Sequence, residues 1–294
     1  MTPPIALIVN PLSRGGQAHE TAAPLLAESG IEAKVAVLLP GSDITEAARS
    51  LLQNGYRTLI AAGGDGTIRA VAAAILDTDA TLGVLPAGTL NHFARDLGLP
   101  PDLASCVKVL KTGAVRAVDA AEVNGHVFLN NSGLGVYPSM VTQREKRRRR
   151  FGQSKWMAFF LAGVATIRRF PFLDVRVVPG GQAFEFRTPF VFVGNNVYQT
   201  ERFNFGTRKS LTGGQLFLAV AQYRIGRLGL VRLAFRALFG RIRTQRDFDI
   251  FESKEVHIGS RHKRLPVSLD GEVMLIETPL HYRTRPGALR VIAP

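Results

Sequence analysis

The sequence predicts a two-domain protein of the α/β class: an N-terminal doubly wound α/β domain, then a mainly-β sandwich domain, with the candidate site in the cleft between them. Three observations carry this reading. Apolar runs of strand length alternate with helix-like stretches over residues 1–120; three of those runs end in polar turns containing glycine; and after Asp119 the texture changes to closely spaced runs of β-branched and aromatic residues. At 294 residues, 46% of them hydrophobic, the chain can bury a sizeable core and exceeds the usual size of a single one.

Ile5, Ala6, Leu7, Ile8 and Val9 form a near-continuous apolar strand, followed by a polar stretch with Asn10, Ser13 and Arg14 and by a helix over 17–28. A strand near 33–39 and a helix near 44–54 come next. Leu59, Ile60, Ala61 and Ala62 read as a buried strand, and a helix through residue 76 begins at or near Thr67. The turn between them is Gly63-Gly64-Asp65-Gly66-Thr67. Residues 81–85 form a further strand ended by Pro86; Ala87, Gly88, Thr89 and Leu90 then lead into a helical stretch over 91–95, with Thr89 as a good N-cap, and a helix spans 103–111. Beyond Asp119, a hairpin over 120–130 and strands over 175–178, 184–187, 190–193, 216–220, 256–258 and 273–276 make the second domain, interrupted by helices near 154–168 and 225–239.

Strands that end in polar glycine turns at one edge of a sheet make a place for phosphate. Glycine at 63, 64 and 66 suits a ligand pressed against backbone, whose N–H groups can meet an anion at the start of a helix. Asp65, the only charged group in its turn, would repel a bare phosphate and so reads as a carboxylate on the magnesium side. Thr89 can donate its hydroxyl to a phosphoryl oxygen, and Asn91 offers an amide either to the opposite turn or to the ligand. Asn10, Ser13 and Arg14 bring an amide, a hydroxyl and a fixed cation to the same edge. His92 and Arg95 stand at helical spacing from these groups, and a solvated role serves them equally well. An Asp-Gly turn also forms without a ligand, so it is the recurrence of three turns that points to a nucleotide.

Several nucleotide signatures are absent. There is no GxxxxGK[ST], no GxGxxG after the first strand and no protein-kinase motif set, which excludes a P-loop enzyme and argues against a dinucleotide oxidoreductase.

Four blocks, Asn10-Pro11 with Ser13, residues 63–67, residues 86–91 and Leu269-Asp270-Gly271-Glu272, resemble in order the signature blocks of the diacylglycerol-kinase-like catalytic fold, which includes bacterial lipid kinases, sphingoid-base kinases and ceramide kinases. The resemblance covers essentially the whole chain. Its Gly-Gly-Asp-Gly turn is shared with NAD kinases and phosphofructokinases; the full set of four is specific. The resemblance implies ATP and Mg2+ as cofactors and transfer of the γ-phosphoryl group to the hydroxyl of diacylglycerol or a related lipid. It implies that Asp65 organises the magnesium–ATP site, that Gly63, Gly64, Gly66, Thr67, Gly88 and Thr89 hold phosphate, and that Asn10 and Asn91 line the nucleotide pocket. Asp119 resembles a second acidic residue at the start of the other domain and joins Asp65 as a candidate metal ligand. Glu272 resembles the general base for the lipid hydroxyl, with Asp270 beside it in the candidate catalytic set. It also implies that the last strand-like run, within 286–294, returns to the first domain, which makes 121–285 the lipid-substrate domain.

Elementary chemistry supports part of this. Phosphoryl transfer to an alcohol needs charge neutralisation, alignment and a proton acceptor, and the Asp270-Gly271 turn signal would present Glu272 beside it. One departure stands out. The family has an acidic run that holds a structural magnesium where this chain has Leu211-Thr212-Gly213-Gly214-Gln215-Leu216, without a carboxylate; that metal is either absent or held weakly through carbonyls and water. Two alternatives stay open: a small-molecule kinase of the NAD kinase kind, and a non-catalytic regulator that binds lipid or nucleotide.

The net charge is +14, from 37 basic and 23 acidic residues. Residues 144–155 hold seven basic side chains and one acid, and residues 224–246 hold seven arginines and no acid. In the second segment the arginines interleave with Leu, Val and Phe, the pattern of a basic amphipathic helix on an anionic membrane surface, where each basic residue contributes ~1 kcal/mol; a solvated loop at 144–150 and a helix packed on the β domain with its arginines facing water is the other reading. Nucleic acid is disfavoured because the flanking side chains are aliphatic or core-like instead of stacking platforms. A homodimer is left open. The most apolar stretch, 156–167, is twelve residues long against the ~20 needed to span a bilayer. A start without a signal-peptide pattern and a single cysteine, Cys106, fit a cytoplasmic protein held peripherally at the inner face of the membrane. Phe159, Phe160, Phe170, Phe172, Phe203 and Phe205 are candidates for acyl-chain contact, and a loop with Gly133, Gly135 and Tyr137 resembles the family's substrate side.

Overall fold

The computed structural model describes residues 4–10, 17–39, 41–135, 172–198, 208, 210–221 and 248–294. The first part alternates strand and helix: β1 (Ile5–Val9), α1 (Gln17–Glu28), β2 (Ala33–Val37), α2 (Ile44–Gln53), β3 (Thr58–Gly63), α3 (Asp65–Ile75), β4 (Thr81–Pro86), α4 (His92–Asp96) and α5 (Leu103–Thr112). The strands lie in the order β2, β1, β3, β4, all parallel. Parallel strands covered on both faces read as unbroken apolar runs, and β4 is buried throughout. Alternate residues of β1 feed two cores: Ala6 and Ile8 pack with α2 and α3, while Leu7 and Val9 pack with α1 and α5.

The rest is β structure: β5 (Ala114–Val123), β6 (His126–Phe128), β7 (Asn131–Gly135), β8 (Leu173–Pro179), β9 (Phe184–Thr188), β10 (Phe190–Asn195), β11 (Leu216–Ala221), β12 (Phe248–Ser253), β13 (Glu255–Ser260), β14 (Arg264–Leu269), β15 (Glu272–Glu277) and β16 (Leu280–Ala293). The N-terminal α/β domain is therefore followed by a mostly-β sandwich, as the sequence predicts. One layer is the antiparallel sheet β12-β11-β10-β7-β14-β15. The other continues the first sheet, because β16 pairs in parallel with β4 at Arg290 and Val291 and antiparallel with β13 and β5. Leu134, Val191, Val193, Leu218, Val256 and Ile258 fill the space between. The Tyr282 hydroxyl lies 2.9 Å from Ser132 Oγ in that core, the partner a buried phenol needs.

Two features differ from the sequence expectation. The texture changes at Asp119, yet the chain does not break there: β5 runs straight through it, opposite a bulge in β16 between Arg285 and Leu289. The loop expected around Gly133 and Gly135 is strand β7, paired with β10 on one side and β14 on the other. Its Asn, Ser and Gly residues read locally as a turn, and pairing on both sides overrides that propensity. Strands β12 and β14 carry no prediction at all. The expected helices over 154–168 and 225–239, the basic segments 144–155 and 224–246, Ser13, Arg14, Tyr137 and the candidate phenylalanines other than Phe172 lie outside the described residues.

A charged network ties β5 and β16 to the end of α3. Glu122 accepts from Arg283 Nε at 2.6 Å and Arg285 Nη1 at 2.7 Å, and Arg285 also pairs with Asp77. Burial works to raise the Glu122 carboxyl, but the hydrogen bonds and charges of the two arginines outweigh it and leave the group below its ordinary 4.5. A lowered carboxyl contributes stability that is present above the unfolded value and lost as pH falls through the folded one. The stability difference between wild type and Glu122→Gln, measured by urea unfolding, is therefore expected to be full above about pH 5.5 and to shrink steadily below 4.5. A difference independent of pH would remove the assignment.

Candidate functional site

Helix α3 opens at Asp65, two residues ahead of the expected start, with Gly64 as N-cap (φ −85°, ψ −177°) and no side-chain bond to the cap. The first N–H groups of a helix have no partner within it, so an uncapped N-terminus is open to an anion. The two glycine turns are pressed together. A Cβ on Gly88 would stand 2.5 Å from Gly64 Cα, one on Gly64 would stand 3.3 Å from Gly88 Cα, and Ala87 N–H donates to Gly63 O at 2.8 Å. A Cβ on Gly63 would meet the Thr67 side chain at 2.5 Å. These bare positions are thus required by the protein's own packing, whereas the sequence suggested ligand approach as the reason. Gly88→Ala is expected to cost about 1–3 kcal/mol of unfolding free energy, because backbone and not a flexible side chain must yield. A loss below a few tenths in urea unfolding would contradict the contact.

The polar residues of these turns take up distinct roles. Asp65 Oδ1 accepts from Phe93 N–H at 3.2 Å, which ties the first turn of α3 to that of α4. Asn10 Nδ2 donates to Thr67 Oγ1 at 3.1 Å, linking the end of β1 to the start of α3. Asn91 serves its own turn: its Oδ1 accepts from Gly88 N–H at 2.9 Å and its Nδ2 donates to Gly88 O at 3.1 Å. It adopts a left-handed conformation (φ 49°) and, instead of Thr89, occupies the N-cap of α4. Thr89 is exposed, and half-buried His92 lies against exposed Arg95 at 2.7 Å.

Glu272 arrives from the other domain. Asp270 and Gly271 both have positive φ (47° and 89°) and close the β14–β15 hairpin with Leu269 opposite Glu272. The Asp270 carboxylate does not face the cleft. It accepts from Leu129 N–H at 2.7 Å, Asn130 N–H at 2.8 Å and Asn131 N–H at 3.0 Å. Burial pushes its carboxyl up against the pull of those donors. Anchored this way, the hairpin lays the Glu272 carboxylate on α3: a side chain at Gly66 would collide with Glu272 Oε1, and Glu272 Oε2 pairs with Arg69. Arg69 Nε is buried with no hydrogen-bond partner among the described residues. The sequence analysis gives Arg69 no role; its position one turn after Asp65, on the same helix face, is the signal the sequence contains.

Asp119 is held elsewhere. Its Oδ1 accepts from Gly287 N–H at 2.8 Å, within the β16 bulge, and its Oδ2 from Gly214 N–H at 2.7 Å. The stretch over 211–216 supplies donors here: Gly213 N–H also gives to Asn196 Oδ1 at 2.8 Å. Close by, Asn195 Nδ2 bridges the Asp119 and Leu129 carbonyls, both at 2.9 Å. The cation in this region is Arg208, whose Nε meets Asp96 Oδ2 at 2.7 Å and whose Nη1 meets Leu129 O at 2.6 Å, with side chains 1% and 8% exposed. N–H donors around Asp119, beside a guanidinium already in place, do not fit a second, structural magnesium.

Comparison with known proteins places the fold in a family. Residues 4–123 match the diacylglycerol kinase catalytic domain, and residues 134–293 match the YegS C-terminal NAD kinase beta sandwich-like domain. The chain belongs to the diacylglycerol kinase and YegS-like family of bacterial lipid kinases. It is 29% identical over 251 residues to a diacylglycerol kinase of Bacillus subtilis (strain 168), covering 83% of this chain and 80% of that one. A Pseudomonas aeruginosa protein described as "Probable lipid kinase YegS-like" is 37% identical over 140 residues, 47% of this chain and 46% of its own. The crystal structure of a diacylglycerol kinase from Bacillus anthracis str. Sterne shares the fold, with a TM-score of 0.72 at 23% identity over 99% of this chain and 97% of that one. Membership at family level brings nucleotide use and a lipid substrate. Among the described residues no helix is long and apolar enough to cross a membrane.

Proposed function

We propose that this protein is an ATP-dependent kinase that transfers the γ-phosphoryl group to the hydroxyl of diacylglycerol or a related lipid. The observation that carries the proposal is the Glu272 carboxylate lying on Gly66, at the N-terminus of α3, although the two residues come from different domains. The uncapped start of α3 fits the polyphosphate of a nucleotide, and Asp65 fits the cation that accompanies it. When bound, magnesium supplies charge neutralisation at the phosphates. Gly66 and Thr67 would hold phosphate through backbone N–H groups, and Asp65, one of whose oxygens accepts from Phe93 N–H, would hold the metal. Arg69 grips Glu272 Oε2 and leaves Oε1 to take the proton of the attacking lipid hydroxyl. Asp270 positions the hairpin and Asp119 the junction of the domains; neither takes a proton in this scheme. Asn10 and Asn91 shape the turns, and Thr89, Ser13 and Arg14 are further candidates for phosphate contact. Residues 1–120 with 286–294 form the nucleotide domain and 121–285 the lipid domain. The basic segments 144–155 and 224–246 hold the enzyme on the anionic inner face of the membrane.

The test is incubation with labelled ATP against extracted lipids, diacylglycerol, a sphingoid base and NAD, with products identified by mass spectrometry. A phosphorylated lipid is expected. Phosphorylated NAD, or ATP consumption without a lipid product, would overturn the reading.

A further inference from the structure

We propose that the solvent face of the β13–β16 pair carries a transition-metal site, separate from the phosphoryl-transfer site, in which Glu255, His257 and His281 bind one zinc-class divalent cation. His257 and His281 are register partners across the antiparallel pair, and Glu255 lies two residues before His257 on the same strand face. Their ligand atoms all lie within 4.8 Å of one another. The imidazole rings stack at 4.3 Å with an interplanar angle of 9°, and each turns Nε2 toward Glu255 Oε1, at 2.8 Å for His257.

This is a nitrogen-rich donor set with one carboxylate, which suits zinc, cobalt or nickel and not magnesium. Metal–ligand bonds of about 2.0–2.1 Å place tetrahedral ligand atoms about 3.4 Å apart, so the ion enters once the Glu255 carboxylate retreats and the two half-exposed rings turn out of their stack to aim both Nε2 lone pairs at it. The backbone beneath is rigid. His281 N–H donates to Asn124 Oδ1 at 2.7 Å, its carbonyl accepts from Asn124 N–H at 3.1 Å, and Val256, Ile258, Leu280 and Tyr282 are buried on the opposite face. Arg283, the register partner of Glu255, is the nearby cation, and it is engaged by Glu122. All three side chains are about half exposed, so the fourth position is left to water. The bound ion clips β13 to β16.

The untagged, chelator-treated full chain is titrated with Co2+, read by its visible absorption, and with Zn2+, read by calorimetry and by thermal unfolding. One equivalent is expected to bind and to raise the melting temperature. His257→Ala and His281→Ala should each weaken binding at least about tenfold and remove the thermal shift, while His262→Ala changes neither. Circular dichroism of each variant confirms that the fold is intact. No binding by wild type up to about 1 mM metal, or binding undiminished in the double variant His257→Ala/His281→Ala, overturns the site. The latter result would leave the pair as two imidazoles that share a carboxylate through protons alone.

Discussion

Glu272→Gln is expected to lower kcat for lipid phosphorylation by more than tenfold, toward the 10²- to 10⁴-fold span of a lost general base, with the circular-dichroism spectrum and the urea midpoint unchanged. The substitution keeps the shape that lies on Gly66 and an oxygen for Arg69, so it removes the charge and the basic lone pair without opening the contact. Because the carboxylate acts on the attacking hydroxyl, the fall belongs in kcat more than in the KM for ATP. Asp65→Asn is the companion. The amide can still accept from Phe93 N–H, so the link from α3 to α4 persists while the negative charge offered to the metal is lost. A fall in turnover of more than tenfold that excess magnesium partly restores is expected there. Near-normal kcat in either variant would remove that residue from the mechanism.

Arg208→Met is expected to cost about 3–5 kcal/mol of unfolding free energy. The guanidinium is almost wholly buried and joins Asp96 at the end of α4 to the Leu129 carbonyl at the root of the β domain. Removing it leaves a carboxylate that is 8% exposed without its counter-charge, together with carbonyls that lose their donor. The double variant Asp96→Asn/Arg208→Met should recover part of the loss, since the stranded charge is then gone too. A loss under about 1 kcal/mol would contradict the part assigned to the buried pair.

The first domain was the legible part. Strands β1, β3 and β4 are buried on both faces, and such strands announce themselves as unbroken apolar runs that end where glycine begins. Strand β7 was not legible: Asn131, Ser132 and Gly133 have poor strand propensity, and their conformation is imposed by β10 and β14 on either side. Within the site, the residue types were legible but several duties were not. The amide of Asn91 turned inward to Gly88, and the carboxylate of Asp270 turned away from the cleft to three backbone N–H groups. Short-range pattern contains the Asp-Gly turn but not the buried N–H groups waiting for its side chain.

From the residues alone came the α/β-then-β order, the two glycine turns, the Asp270-Gly271 hairpin and the family. The meeting of Glu272 with Gly66 and Arg69, the buried pairing of Arg208 with Asp96 and the capture of Asp119 by the β16 bulge came only with the folded chain. Strands and turns are set by neighbours a few positions away, whereas these contacts join positions on separate elements, up to 203 residues apart for Arg69 and Glu272. Their free energy exists only once the shared ten-stranded sheet has brought both domains to one edge.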